Sequence, residues 1–168
     1  PVQSADPTLV LQAPSSGGHV NGKASDELIL GSAKADGLRG GEGDDVLVGR
    51  GGKDILYGGA GQDTFRFEKL SDSLAAGSGR DYIGDFVRGD DKIDLHAIDA
   101  DALTATNDAF TLITGAEFTA AGQLAVSFES RADGDFTVIQ GNVDGSLDAD
   151  FRIEVEGHHQ ISNANVIV

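Results

Sequence analysis

The chain has 168 residues, enough for one ordinary domain or two small ones, and carries 28 acidic against 12 basic residues for a net charge of −16. A polyanion repels nucleic acid and anionic membranes at long range, so neither is expected as a partner, and no apolar run approaches the ~18 residues of a membrane span. The absence of cysteine excludes disulfides, thiolate zinc sites and cysteine nucleophiles.

In chain order, residues 1–19 read as a linker. They hold all three prolines, and "TLVL" within them is able to pair as an edge strand. The chain begins at Pro1 without methionine or a visible signal peptide, and so reads as a piece of a longer protein.

Residues 20–66 repeat with a period of nine, G-G-x-G-x-D-x-U-x, where U is a large apolar residue. "GGEGDDVLV" (40–48) and "GGAGQDTFR" (58–66) carry the pattern almost unaltered. "GRGGKDILY" (49–57) has Arg50 at the second glycine position, and "GSAKADGLR" (31–39) is degenerate. Upstream, "NGKASDELI" (21–29) reads as a worn copy followed by one extra residue, Leu30. In this reading the repeated aspartates are Asp26, Asp36, Asp45, Asp54 and Asp63, and the apolar positions are Leu28, Leu38, Leu47, Leu56 and Phe65.

This unit resembles the nonapeptide repeat of RTX proteins, which implies a parallel β-helix that binds calcium. The glycines permit tight turns with positive φ, and x-U-x forms a short strand with U inward. Two units make a coil of 18 residues, so Asp36 lies over Asp54 and Asp45 over Asp63, with Asp26 before them. Carboxylates one strand spacing apart (~4.8 Å) repel by roughly 3.5 kcal/mol at an effective dielectric of ~20. A cation between coils reverses that sign. The donors available are carboxylates and the turn carbonyls of Gly40, Glu42, Gly49, Gly51, Gly58 and Ala60, all hard oxygens, which suit calcium better than zinc or magnesium. About three calcium ions are expected, and folding should be coupled to their binding.

Residues 67–168 alternate apolar and polar in "DYIGDF" (81–86), "KIDL" (92–95), "FTLIT" (110–114), "LAVSFE" (124–129), "FTVIQ" (136–140), "FRIEVE" (151–156) and "NVIV" (165–168). The pattern predicts short, mainly antiparallel strands, with one short helix within 97–108. The fold class is therefore all-β: a calcium-bound parallel β-roll over 20–66 continuing into a β-rich C-terminal cap over 67–168.

From residue 20 onward the sequence resembles the hemolysin-type calcium-binding (RTX) modules of secreted bacterial proteins. Over "TFRFEKLSDS…GRDYIGDFVRGDDKIDL" (64–95) it is similar to the C-terminal domains of serralysin-type metalloproteases and the R-modules of mannuronan C5-epimerases. The resemblance implies that Asp81 and Asp91 complete the last calcium site. It also implies a secreted, extracellular protein exported through a type I secretion apparatus that reads the C-terminal end, with folding on calcium after export. No H-E-x-x-H, G-x-S-x-G or Walker A motif occurs, so the fragment is read as non-catalytic beside an adjacent catalytic module, a mannuronan C5-epimerase being favoured.

For such a module the expected ligand is alginate or another uronate polysaccharide. Arg39 and Tyr57 stand at the ninth position of units one coil apart, with Arg50 and Lys53 on a nearby turn. The alternative is a structural and secretory domain of a serralysin-like protease or RTX lipase that binds no polysaccharide. "GNVDGSLDADF" (141–151) reads as a turn, a further calcium site being the other possibility, and His158 and His159 should face opposite ways.

Overall fold

The computed structural model describes residues 9–77, 79–115 and 117–168. Its strands are β1 (Leu9–Gln12), β2 (His19–Asn21), β3 (Glu27–Leu30), β4 (Gly37–Glu42), β5 (Val46–Val48), β6 (Ile55–Ala60) and β7 (Thr64–Arg66). After a 3₁₀ turn at Leu70–Asp72 come β8 (Asp81–Ile83), β9 (Lys92–Asp94), β10 (Thr111–Ile113), β11 (Gln123–Arg131), β12 (Gly134–Asn142), β13 (Phe151–Glu156) and β14 (Val166–Ile167).

They form two sheets. One has the order β1-β3-β5-β7-β9-β14 and is parallel throughout. The other has the order β10-β11-β12-β13-β8-β6-β4-β2. Successive nonapeptides alternate between the sheets because each x-U-x strand ends in a glycine turn that reverses the chain. Pairing therefore joins residues 18 apart, Leu38 to Leu56 and Leu47 to Phe65. The protein is a parallel β-roll that runs into a β-rich cap.

The inward side chains stack in two columns, Val20–Leu38–Leu56–Ile83 on one sheet and Ile29–Leu47–Phe65–Ile93 on the other, all buried. Val20, Ile29, Leu38, Leu47, Leu56 and Phe65 are nine residues apart without interruption. Leu30 is therefore no insertion, and the inward residue of the first unit is Ile29, not Leu28. Burial decides the register, since a slip of one residue would turn the whole strand outward.

Leu9–Gln12, inside the stretch read as linker, pairs with Glu27–Leu30 and forms the edge of the first sheet. In the cap, β11–β12–β13 is antiparallel, but β8, β9, β10 and β14 all pair in parallel, contrary to the mainly antiparallel reading. Residues 97–108 form turns rather than a helix. The Asp99 carboxylate accepts the N–H of Asp101 and Asp108, and Asp101 accepts that of Leu103. These side chains compete with the helical hydrogen bonds for the same donors.

Candidate metal centre

The turns between strands carry two ladders of carboxylates. In the first, the N–H of Glu27 donates to Asp45 Oδ1 (2.9 Å), that of Asp45 to Asp63 Oδ1 (3.0 Å) and that of Asp63 to Asp91 Oδ1 (3.0 Å). In the second, Gly18 N–H donates to Asp36 Oδ1 (2.7 Å), Asp36 to Asp54 Oδ1 (2.8 Å) and Asp54 to Asp81 Oδ1 (2.9 Å). One oxygen of each aspartate thus ties its coil to the coil before it. The second ladder stops at Ser73, whose hydroxyl accepts the N–H of Asp81.

The other oxygen is treated differently. Oδ2 of Asp45, Asp54, Asp63 and Asp81 is buried with no hydrogen-bond partner. A buried acceptor without a donor costs free energy, and a buried charge without a counter-charge costs more. The carboxyls respond: burial pushes Asp45 up to about 6, Asp54 and Asp63 to about 7 and Asp81 to about 9. Backbone hydrogen bonds oppose the rise, and neighbouring carboxylates add to it. Burial raises Asp91 as well.

Oδ2 of Asp45, Asp54 and Asp63 points into a hollow that exists only because glycine opens its unit. A Cβ on Gly40 would lie 2.1 Å from Asp45 Oδ2, and one on Gly58 would lie 2.3 Å from Asp63 Oδ2. Among the described residues no three carboxylate or imidazole groups converge on one point, so a cation here needs backbone oxygens as well. The carbonyls of Gly40, Gly49 and Gly58 each press against the opening glycine of the preceding coil on their side. Gly51 lies in an outer turn, Glu42 ends strand β4, and the Ala60 carbonyl already accepts the N–H of Gly43 at 2.9 Å. Orphaned hard anions in a glycine-lined hollow flanked by carbonyls fit calcium.

Asp26 does not belong to the ladder. Its Oδ1 accepts the N–H of Asp44 at the outer edge, and Glu27 takes the buried position. The cause is the uninterrupted register: Glu27 precedes Asp36 by nine residues, as Ile29 precedes Leu38. Counting back by nine finds it, whereas looking for aspartate does not. Asp72 was also missed, because it lies where the repeat has ended. It is buried, its Oδ2 accepts the N–H of Glu68 and Lys69, and its charge helps raise both Asp54 and Asp81.

On the outer face of the larger sheet, the Arg39 guanidinium sits 4.5 Å from the centre of the Tyr57 ring, as their register pairing requires. With His19, Lys53 and Ile55 they line a shallow recess of about 340 Å³. The face continues from Tyr57 to Tyr82 (6.5 Å between rings), to Phe136 (6.3 Å), and to Arg131, 4.6 Å above Phe136. Arg50 is not part of it. It turns to the other side of the roll, where its Nη1 donates to the Gly31 carbonyl (3.0 Å) beside a recess lined by Lys69 and Asp72.

The 141–151 loop is closed by its own amide. Buried Asn142 donates from Nδ2 to the carbonyls of Ser146 (2.8 Å) and Asp148 (2.7 Å), so donors fill the space that a cation would use. His158 packs on Phe128 and His159 on Phe86, facing apart.

The chain is similar to two solved structures from the Azotobacter vinelandii mannuronan C5-epimerase. Against the AlgE6R3 subunit it is 29% identical with a TM-score of 0.67, covering 99% of this chain and 81% of that one. Against the AlgE6R2 subunit it is 28% identical with a TM-score of 0.59, covering 98% and 93%. No curated protein matches it. The family model described as peptidase M10 serralysin C terminal matches residues 19–168, the whole of the roll from β2 onward together with the cap, and the chain belongs to that family.

Proposed function

We propose that the chain is a non-catalytic calcium-binding module of a larger secreted bacterial protein, exported by a type I system and folded by calcium outside the cell. The observation that carries this is the set of four buried, partnerless oxygens, one each on Asp45, Asp54, Asp63 and Asp81. These four would hold calcium, with Asp72 and Asp91 beside them and the carbonyls of Gly40, Gly49 and Gly58 completing the oxygen set. Bound calcium supplies the positive charge that the ladders lack. About three ions per chain are expected. Extracellular sites of this kind bind at about 10⁻⁴–10⁻³ M, so the repeats remain unfolded where calcium is scarce and fold where it is plentiful.

In this reading the module serves an adjacent catalytic module, a mannuronan C5-epimerase, by gripping alginate. Arg39 stacked on Tyr57, with Lys53 beside them, offers an aromatic platform and two cations to a uronate. Arg50 is withdrawn from that subsite by its bond to Gly31. The family match to serralysin C termini favours a second reading, a structural and secretory domain with no ligand but calcium.

NMR titration of the calcium-loaded chain with oligomannuronate separates the two. Shifts clustered at Arg39, Lys53 and Tyr57, with Arg50 unmoved, support alginate binding. No shift at millimolar oligosaccharide rejects it in favour of the second reading.

A further inference from the structure

The five repeat loops fall into two classes. In loops 40–45, 49–54 and 58–63 the second oxygen of the closing aspartate has no donor. In loops 22–27 and 31–36 it is fully served by the loop itself. Lys23 N–H donates to Glu27 Oε2 (3.1 Å) and the Ser25 hydroxyl to Glu27 Oε1. Ser32 donates both its N–H (2.6 Å) and its hydroxyl (2.9 Å) to Asp36 Oδ2.

The second residue of the loop decides between them. Gly41, Arg50 and Gly59 have positive φ, +121°, +67° and +105°, which carries the N–H away from the carboxylate. Lys23 and Ser32 are not in that region, and their N–H groups turn inward onto it. Arg50 is the one non-glycine with positive φ among the described residues. Such a backbone is strained for a residue with a side chain, so the surrounding structure must impose it. Here its guanidinium straps loop 49–54 to the Gly31 carbonyl of the closed loop below, placing a fixed cation between the two loops.

We propose, resting on the calcium reading above, that calcium is confined to the three open loops. Loops 40–45, 49–54 and 58–63 take the ions, Asp81 completing the second. Loops 22–27 and 31–36 form an ion-free end of the roll, closed by Ser25, Ser32 and backbone N–H groups in place of metal. Glu27 and Asp36 are then structural acceptors, although they stand in the repeat's ligand position.

The test is the number of calcium ions retained per chain, measured by atomic emission on the full chain after equilibration in millimolar calcium. Glu27→Gln and Asp36→Asn are expected to keep the wild-type number, and Asp63→Asn to lose at least one ion. Loss of an ion in Glu27→Gln or Asp36→Asn overturns the assignment, as does an undiminished number in Asp63→Asn. Should a variant not fold, anomalous diffraction from wild-type crystals grown in calcium decides directly. Peaks beside Asp45, Asp54 and Asp63 support the assignment, and a peak bonded to Glu27 or to Asp36 Oδ2 overturns it. A wild-type chain that retains no calcium fails the calcium reading itself, whereas one that retains calcium at Asp36 fails only this inference.

Discussion

The roll and the antiparallel hairpins of the cap bury charge in opposite ways. In the cap, Glu154 on β13 is held by Arg80, Arg131 and Arg152. Burial tends to raise its pKa, but the hydrogen bond and charge of Arg131, aided by Arg80 and Arg152, outweigh that and hold it below the usual carboxylate range. In the roll, Asp54 is buried against other carboxylates with no cationic side chain on its free oxygen, and burial pushes it up to about 7. Apolar burial differs too. The nonapeptide 40–48 buries two apolar side chains, Leu47 and Val48, whereas β12 alone buries Phe136, Val138 and Ile139 along one nine-residue strand. The cap pairs its buried charge with its own side chains, whereas the roll leaves four buried carboxylate oxygens with no partner of its own.

The sharpest way to break this contrast is to withhold calcium. In calcium-free buffer at pH 7.5, hydrogen exchange at Leu38, Leu47 and Leu56 should become fast, while Ile139 keeps more protection because both neighbours of β12 lie in the cap. Equal exchange of Leu47 and Ile139 would mean that the two regions unfold as one. Acid should then partly replace the ion. The folded carboxyls of Asp45, Asp54 and Asp63 titrate at about 6, 7 and 7, above the ~3.9 of an unfolded aspartate. Between those limits the metal-free fold binds more protons than the unfolded chain, so its stability falls as pH rises from about 4 to 7. Circular dichroism without calcium should therefore show more β structure at pH 5 than at pH 7.5. In calcium the dependence inverts, because protons compete for the ligands. Loss of β signal on acidification without calcium would contradict the accounting of the ladders.

A cavity in the roll is the next largest perturbation. Leu47 is fully buried between Ile29 and Phe65, the stacked neighbours of its column. Leu47→Ala should cost about 2–5 kcal/mol. If folding of the roll is linked to ion binding, as proposed above, that loss should appear as a higher calcium midpoint in a titration followed by circular dichroism. An unchanged midpoint would show that the apolar column contributes little to the coupling.

How much of this was legible depends on whether the information is local. The nine-residue period carries the column Leu47–Phe65 and the pairing of Asp36 with Asp54, because a repeat of constant length can stack in only one way. Seven cap strands were legible from alternation, but their directions were not, since the partner of Asp81–Ile83 lies at Ile153–Val155, far along the chain. Asp26 misled because residue type was weighed above phase, when burial of Ile29 fixes the phase and places Glu27 in the ladder. Arg50 misled because a positive φ at its position reverses the side from which the side chain leaves the turn. Asp72 lies beyond any repeat, and only the fold brings it to Asp54 and Asp81.

The smallest effect should come from the cap's ion network, where a comparable deletion looks drastic on paper. Arg131 bonds Glu129 at 2.5 Å and Glu154 at 2.9 Å and covers the Phe136 ring. Arg131→Ala nevertheless leaves Glu154 with Arg80 and Arg152, and leaves Glu129 with Arg152, so no buried charge is stranded. Arg131 is also partly exposed, with 29% of its side-chain surface accessible, and solvent screens its pairs. The expected cost is about 1 kcal/mol, a fall of about 2–4 °C in the melting temperature of the calcium-loaded chain, with the calcium midpoint unmoved. If Arg131→Ala instead raises the calcium midpoint as far as Leu47→Ala does, the cap shares the roll's dependence on the ion, and its internal pairing of charge is not what sets it apart.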